Sequence, residues 1–412
     1  MSTVEGSKLR GPSPSSVSSQ AGSSQAAALA AGFGRWAGWP AAVHAGCVIL
    51  LALVPAVRWW PTVSETEVAI ADEMQYFAAF ERVAAGRSPF DEPGYLYPAA
   101  FAYAGAWSVE HLGRARTDNL LQAANLLGLA LTLWCAAAWL PWSAAQRLLG
   151  GTAFILLAPQ ARYSVGSNNV SLAVAGMIVA GLLLVPRRPL AAGLLLGGSV
   201  ALKPVAPAAL GCLLFARGEL GGRRNVVAAG VGIAVAAALV LLLPHSAELL
   251  GRVGGRAVLD TVSLHRLPGL FGLGVNLIWV SVLVAVAAVA VLVLRGPLGR
   301  GRFLCLATAA TVAATPLVRS HTLVLLLPLE VLAVTVAARR WTAASAALPA
   351  GRRVGSWVEP VLVLLAVASL QFSVGAGTIH GQGFLLELVG GGVPALAPLA
   401  LLAYLLATTD RF

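Results

Sequence analysis

Apolar runs of about 20 residues recur along this chain, and that is the length a helix needs to cross a bilayer. After a first run over roughly 40–57, further segments stand near 98–112, 119–140, 145–160, 168–185, 190–216, 225–243, 273–294, 301–318, 322–338, 358–376 and 383–407. Lipid offers no hydrogen bonds, so each run must satisfy its own backbone, and a helix does this. No alternating strand pattern and no internal repeat is visible. The fold expected is an all-α polytopic transmembrane helical bundle of about 11–13 membrane segments, some broken or re-entrant. With 58% hydrophobic and 11% charged residues, the chain is far from a soluble domain.

Residues 1–35 are rich in Ser, Gly, Gln and Ala and read as a disordered tail, leaving 36–412 as the membrane domain. Trp36, Trp39, Trp59 and Trp60 bracket the first span as interfacial anchors. The net charge of +11 comes mostly from arginines between apolar runs. It reads as cytoplasmic charge that sets topology, not as a nucleic-acid surface. Cys47, Cys135, Cys212 and Cys305 each sit inside an apolar run with no metal-ligand spacing, so no metal site is expected. Heavy Ala, Gly and Arg usage points to a bacterium with GC-rich DNA, and the location expected for such a polytopic chain is the bacterial inner membrane.

Lys/Arg counts give an orientation. Lys8, Arg10 and Arg35 place the N-terminus inside and the acidic loop 58–98 outside, and the next spans carry Arg114 and Arg116 inside. Simple alternation then puts Arg187 and Arg188 outside. Two irregular segments repair the count. The short run 145–160 is expected to re-enter, and the long run 190–216, broken at Lys203-Pro204, is expected to fold into two short arms. Arg187/Arg188, Arg217/Arg223/Arg224, Arg295/Arg300/Arg302 and Arg339/Arg340/Arg352/Arg353 then all lie inside. Asp72, Asn169, Lys203, His265 and His321 face out.

The outer loop holds seven of the chain's 17 acidic residues, Asp72 and Glu73 among them. Asp72 and Tyr76 share a face of a short amphipathic helix, and a carboxylate at the edge of an apolar cavity suits a general base. Glu73 points elsewhere, as a solvated or auxiliary acid. Tyr95 and Tyr97 are interface anchors or hold a ring-shaped substrate. Lys203 is the only lysine after Lys8. A lone lysine in an apolar run is a functional candidate whose natural partner is a lipid phosphate; the alternative is a snorkelling structural lysine. Arg319 and His321 could hold a phosphate. The basic loop 244–272 carries His265, which suits an anionic ligand or simple surface charge. Asn169 either serves a sugar or caps the helix that follows.

These landmarks resemble the GT-C membrane glycosyltransferases, particularly glycosyltransferase family 87. Asp72, Tyr76, Gly86, Pro89-Phe90 and Tyr97-Pro98-Ala99 are similar to the family's first-loop pattern. Gly166, Ser167 and Asn169 resemble its Gly-Gln-x-Asn motif with the Gln replaced. Lys203-Pro204 with Pro207 resembles a Lys-x-x-Pro-like element, and Thr315-Pro316 through His321-Thr322 keeps the frame of a late Pro/His motif without its second His. The resemblance implies transfer of one mannose-like or arabinofuranose-like sugar, with inversion, from a polyprenyl-phosphate carrier to a hydroxyl of a glycolipid or glycan on the outer face. Asp72 would be the base. Glu73, Tyr76, Tyr97, Asn169, Lys203, His265, Arg319 and His321 would bind substrate, and no cofactor is needed. A transporter or lipid flippase is the rival class, since it too uses broken spans and buried charges.

Overall fold

The computed structural model describes residues 67–92, 94–138, 164, 167–205, 207–217, 222–249, 277–296, 298–315, 320–347, 358–371 and 393–408, with the backbone alone at 67–72, 133–138, 241, 277–279, 320–321, 342, 344–347, 371 and 393–394. All regular structure among them is helical. The helices are α1 (Glu67–Ala84), α2 (Ala99–Leu112), α3 (Arg114–Ala138), α4 (Ser171–Leu184), α5 (Pro189–Leu202) and α6 (Pro207–Leu214). They continue with α7 (Arg223–Leu241), α8 (Leu277–Arg295), α9 (Arg300–Ala314), α10 (Leu327–Ala347), α11 (Val358–Gln371) and α12 (Val393–Ala407). Short 3-10 turns span Pro89–Asp91 and Ser320–Leu326. Two stretches, Arg223–Val240 and Thr322–Trp341, are helical, long and apolar enough to cross a membrane, and several shorter apolar helices accompany them. Leu190 and Leu194 on α5, Ile233 on α7, Leu283 on α8 and Leu362 and Leu365 on α11 point outward. Apolar surface of that extent is what a bilayer covers.

The segment 190–216 breaks where expected. Pro204 cannot donate to a continuing helix, and Lys203 leaves α5 in an extended conformation at φ −154° and ψ 131°. The direction of the next arm follows from glycine contacts. A Cβ on Gly193 would meet Ala228 O at 2.6 Å, and one on Gly197 would meet Gly232 O at 2.6 Å, so α5 and α7 run parallel. Leu210 of α6 packs on Gly232, level with Gly193. The chain therefore climbs α5, turns at Lys203, descends α6 and climbs again along α7. Arg224 accordingly donates to Pro186 O beside Arg187 and Arg188. The Gly193-x-x-x-Gly197 spacing makes this close approach possible.

The other basic groups lie at the same end. Arg302 donates to Thr408 O, Arg295 to Leu406 O, and Arg340 pairs with Glu359 at 2.7 Å while Tyr404 donates to that carboxylate. Helix α9 runs from this end to Thr315, and Thr322 just beyond reaches Lys203. Arg352 and Arg353 are outside the described residues.

Arg114 and Arg116 are not where the charge count put them. Fourteen residues give α2 about 20 Å, short of a ~30 Å core. Gly113, at φ 83°, then turns the chain straight into α3, and Ser108 meets Thr117 across that hairpin at 2.9 Å. Arg114 reaches back to Glu81 at 3.5 Å and lies over the Phe77 ring at 4.6 Å, both on α1. Asp118, one turn on, accepts from Asn168, the neighbour of Asn169. Arg114 and Arg116 thus belong to the Lys203 end. Helices α3 and α4 are also parallel, because Asn125 meets Asn168 and Ala173, and Gly128 packs on Leu172 and Gly176. Residues 145–160, expected to re-enter, are outside the described residues. The charge count misplaces Arg114 and Arg116 because α2, apolar but only 14 residues long, is too short to span.

Candidate active site

Three breaks in helix meet at one end of the bundle: the Lys203 turn, the turn before α4, and the 3-10 turn before α10. Lys203 is 7% exposed, and its Nζ donates to Ser171 Oγ at 2.7 Å and to Thr322 Oγ1 at 3.0 Å. The ammonium also stands 5.8 Å from the Tyr97 ring centroid. Helices α4 and α5 are antiparallel, with Gly181 against Leu196 and Met177 against Gly198, so the first residue of α4 naturally faces the residue that ends α5.

Asn169 joins this group to the loop aromatics. Its Oδ1 accepts from the Ser171 N–H at 3.0 Å and from Ser171 Oγ at 2.6 Å, and its Nδ2 donates to Tyr97 OH at 2.9 Å. It therefore caps α4 and holds a site residue in one act. Tyr97 packs edge-on against Tyr76 at 4.8 Å, and Tyr76 against Phe101 at 5.1 Å. Tyr76, Phe80 and Tyr95 are fully buried, and Tyr95 donates to Pro98 O at 3.0 Å, fixing the entry to α2. The tyrosines are thus a packed platform, not exposed interface anchors.

Asp72 lies on α1 one turn ahead of Tyr76. Its side chain is outside what is described, as is that of His321, whose backbone adjoins Thr322. His265 and Arg319 are outside the described residues altogether. Glu73 is half-buried, and its carboxyl is pushed above its ordinary value by burial first and by the Asp118 carboxylate second, with Arg114 opposing. Glu73 thus lies near Asp118 and Arg114 of α3 rather than fully in solvent.

Two contributors went unread in the sequence. Asp118 accepts from Asn168 Nδ2 at 2.5 Å, and Asn125 donates to Asn168 Oδ1 at 3.2 Å while accepting from Ala173 N–H. Their signal was polar residues at helical spacing in an otherwise apolar run. Glu330, fully buried on α10, was passed over too. Among the described residues no group of three or more His, Cys, Asp or Glu side chains is placed to hold a metal ion.

An ammonium held by hydroxyls at a helix break, beside an aromatic platform, is a group that can meet an anion. No curated protein and no solved structure matches the chain. The family model for glycosyltransferase family 87 matches residues 95–320, more than half of the 412, including Tyr97, Asn169 and Lys203; the acid-bearing helix α1 precedes the match. The chain belongs to glycosyltransferase family 87 and is a membrane glycosyltransferase.

Proposed function

We propose that this enzyme moves one sugar from a polyprenyl-phosphate carrier to an acceptor hydroxyl at the outer face of a bacterial inner membrane, with inversion. The observation that carries the reading is Lys203: a buried ammonium on a helix break, tied to Ser171 and Thr322 and standing over Tyr97. A buried ammonium has a large desolvation cost, and its hydroxyl contacts with Ser171 and Thr322 fix where it stands. The donor phosphate is the anion we assign to it. The arginines gathered at the opposite end favour a cytoplasmic location for that end, which turns Lys203 outward. No nucleotide sugar is available there, so the donor is carried in lipid, its polyprenyl tail in the bilayer and its phosphate at Lys203 with His321 and Arg319.

The acceptor oxygen attacks the anomeric carbon from the face opposite the phosphate, and the bond from that carbon to the phosphate oxygen breaks. The bonding pair stays on the phosphate, where Lys203 offsets the growing charge. The acceptor proton passes to Asp72 as general base. Tyr97, backed by Tyr76 and held by Asn169, borders the space we assign to the sugar ring, and half-buried Glu73 offers a hydrogen bond to its hydroxyls. The donor sugar is mannose-like or arabinofuranose-like, and the acceptor a glycolipid or glycan. The test is incubation of purified protein in lipid nanodiscs with polyprenyl-phosphate-mannose or polyprenyl-phosphate-arabinofuranose and a glycolipid acceptor. Released polyprenyl phosphate that tracks glycosylated acceptor supports the reading. Movement of the intact donor across the bilayer without bond cleavage replaces it with a flippase.

A further inference from the structure

We propose that Asp118 is a positioning residue for the site, acting through Asn168 to hold the turn that sets Asn169 against Tyr97 and Ser171 against Lys203. This rests on the reading of Lys203 as the donor-phosphate group.

Asn168 is one of only two non-glycine residues with positive φ among the described residues, at 49°. The left-handed region is accessible to Asn at a small cost, but nothing in the local sequence forces it. Tertiary contacts fix it instead. The Asn168 amide donates to Asp118 Oδ1 at 2.5 Å, and its carbonyl accepts from Asn125 Nδ2 at 3.2 Å. Both partners are on α3, and Asn125 also takes the Ala173 N–H in the first turn of α4. The short Asp118 contact is charge-assisted and is the stronger of the two.

The turn's conformation has direct consequences. Asn169 follows at once, and its side chain divides between Tyr97 OH and both polar groups of Ser171. Ser171 Oγ then receives the Lys203 ammonium. If Asn168 relaxes to the right-handed region, the plane of the next peptide turns and Asn169 cannot keep all three bonds. Asp118 touches neither Lys203 nor Tyr97 in any described contact, yet both depend on the turn it holds. Its chemistry fits: a carboxylate only accepts, so it selects the amide face of Asn168 and leaves the carbonyl for Asn125.

The experiment compares Asp118→Ala with Asp118→Asn in the full-length protein in nanodiscs. Lys203 and Lys8 are the only lysines, so amine-reactive labelling read by mass spectrometry reports on Lys203 almost alone. Asp118→Ala is expected to raise the Lys203 labelling rate relative to Lys8 by roughly tenfold, the weight of one charge-assisted bond. Asp118→Asn keeps an acceptor for Asn168 and is expected to restore most of the protection. In the transfer assay, Asp118→Ala should raise the donor KM more than it lowers kcat, with the same rescue. Unchanged Lys203 labelling in folded Asp118→Ala overturns the proposal, as does loss of protection in both variants alike. Should the wild type transfer no sugar, the functional reading fails, while the labelling result still decides the role of Asp118.

Discussion

Lys203→Met separates a phosphate ligand from a structural tie. Methionine keeps the length of the lysine stem in a 7%-exposed setting and deletes the ammonium with its contacts, the Ser171 and Thr322 hydroxyls among them. Ser171 Oγ retains its bond to Asn169, so Thr322 Oγ1 is the main group losing a partner. The bonds to the two hydroxyls are lost, but a buried charge no longer has to be desolvated. The net change in folding free energy should stay within about 1–2 kcal/mol. Against a phosphate the arithmetic differs. A charge-assisted bond that strengthens as the leaving group gains charge contributes about 1.5–3 kcal/mol, so kcat/KM for the donor should fall roughly 10–150-fold. The assay is initial-rate release of polyprenyl phosphate at several donor concentrations, with thermal unfolding followed on the same samples. A variant that unfolds much more easily yet turns over at the wild-type rate while folded refutes the reasoning and leaves Lys203 a cross-tie.

Asp72→Asn should lower turnover by roughly 10²–10⁴-fold without changing donor affinity, which separate kcat and binding measurements would check. Glu73 carries a pH signature. Its folded carboxyl is raised above the ordinary value of 4.5, so the protonated form is favoured in the fold. Its contribution is complete below 4.5 and is lost as pH rises through the raised value. Glu73→Gln should therefore flatten the fall in unfolding temperature across that window, from 4.5 up through the raised value; an identical pH profile would exclude the linkage. Gly197→Val should destabilise the α5–α7 contact by about 1–3 kcal/mol, because a Cβ there meets Gly232 O at 2.6 Å. Chemical denaturation in detergent would measure it.

The break at Lys203 was legible because its signals are local: a proline that cannot donate and a charge that cannot sit in lipid. The shared end of the arginine groups followed from it, and glycine spacing alone would not have given the direction of α6. The place of Arg114 was not legible. A 14-residue apolar helix reads like a span in sequence, and only its contacts with Glu81, Phe77 and Asn168 show that it never leaves the site end. Within the site, Tyr97, Asn169 and Lys203 were nameable as residue types unusual for their setting. Asp118 and Asn125 stand out only as polar residues at helical spacing, and their partner, a turn some 40–50 residues away, has no local pattern that names it. The tyrosines were half-read: aromatic character marked them, but burial turned anchors into a platform.

The account turns on a polyprenyl phosphate meeting Lys203 at the end of the bundle that carries Asp72. The most direct measurement is an electron cryomicroscopy map of the protein with polyprenyl phosphate bound. A phosphate oxygen is expected at about 3 Å from Lys203 Nζ, with the Asp72 side chain turned toward the same space. A phosphate seated instead among Arg187, Arg188 and Arg224 at the other end would contradict it.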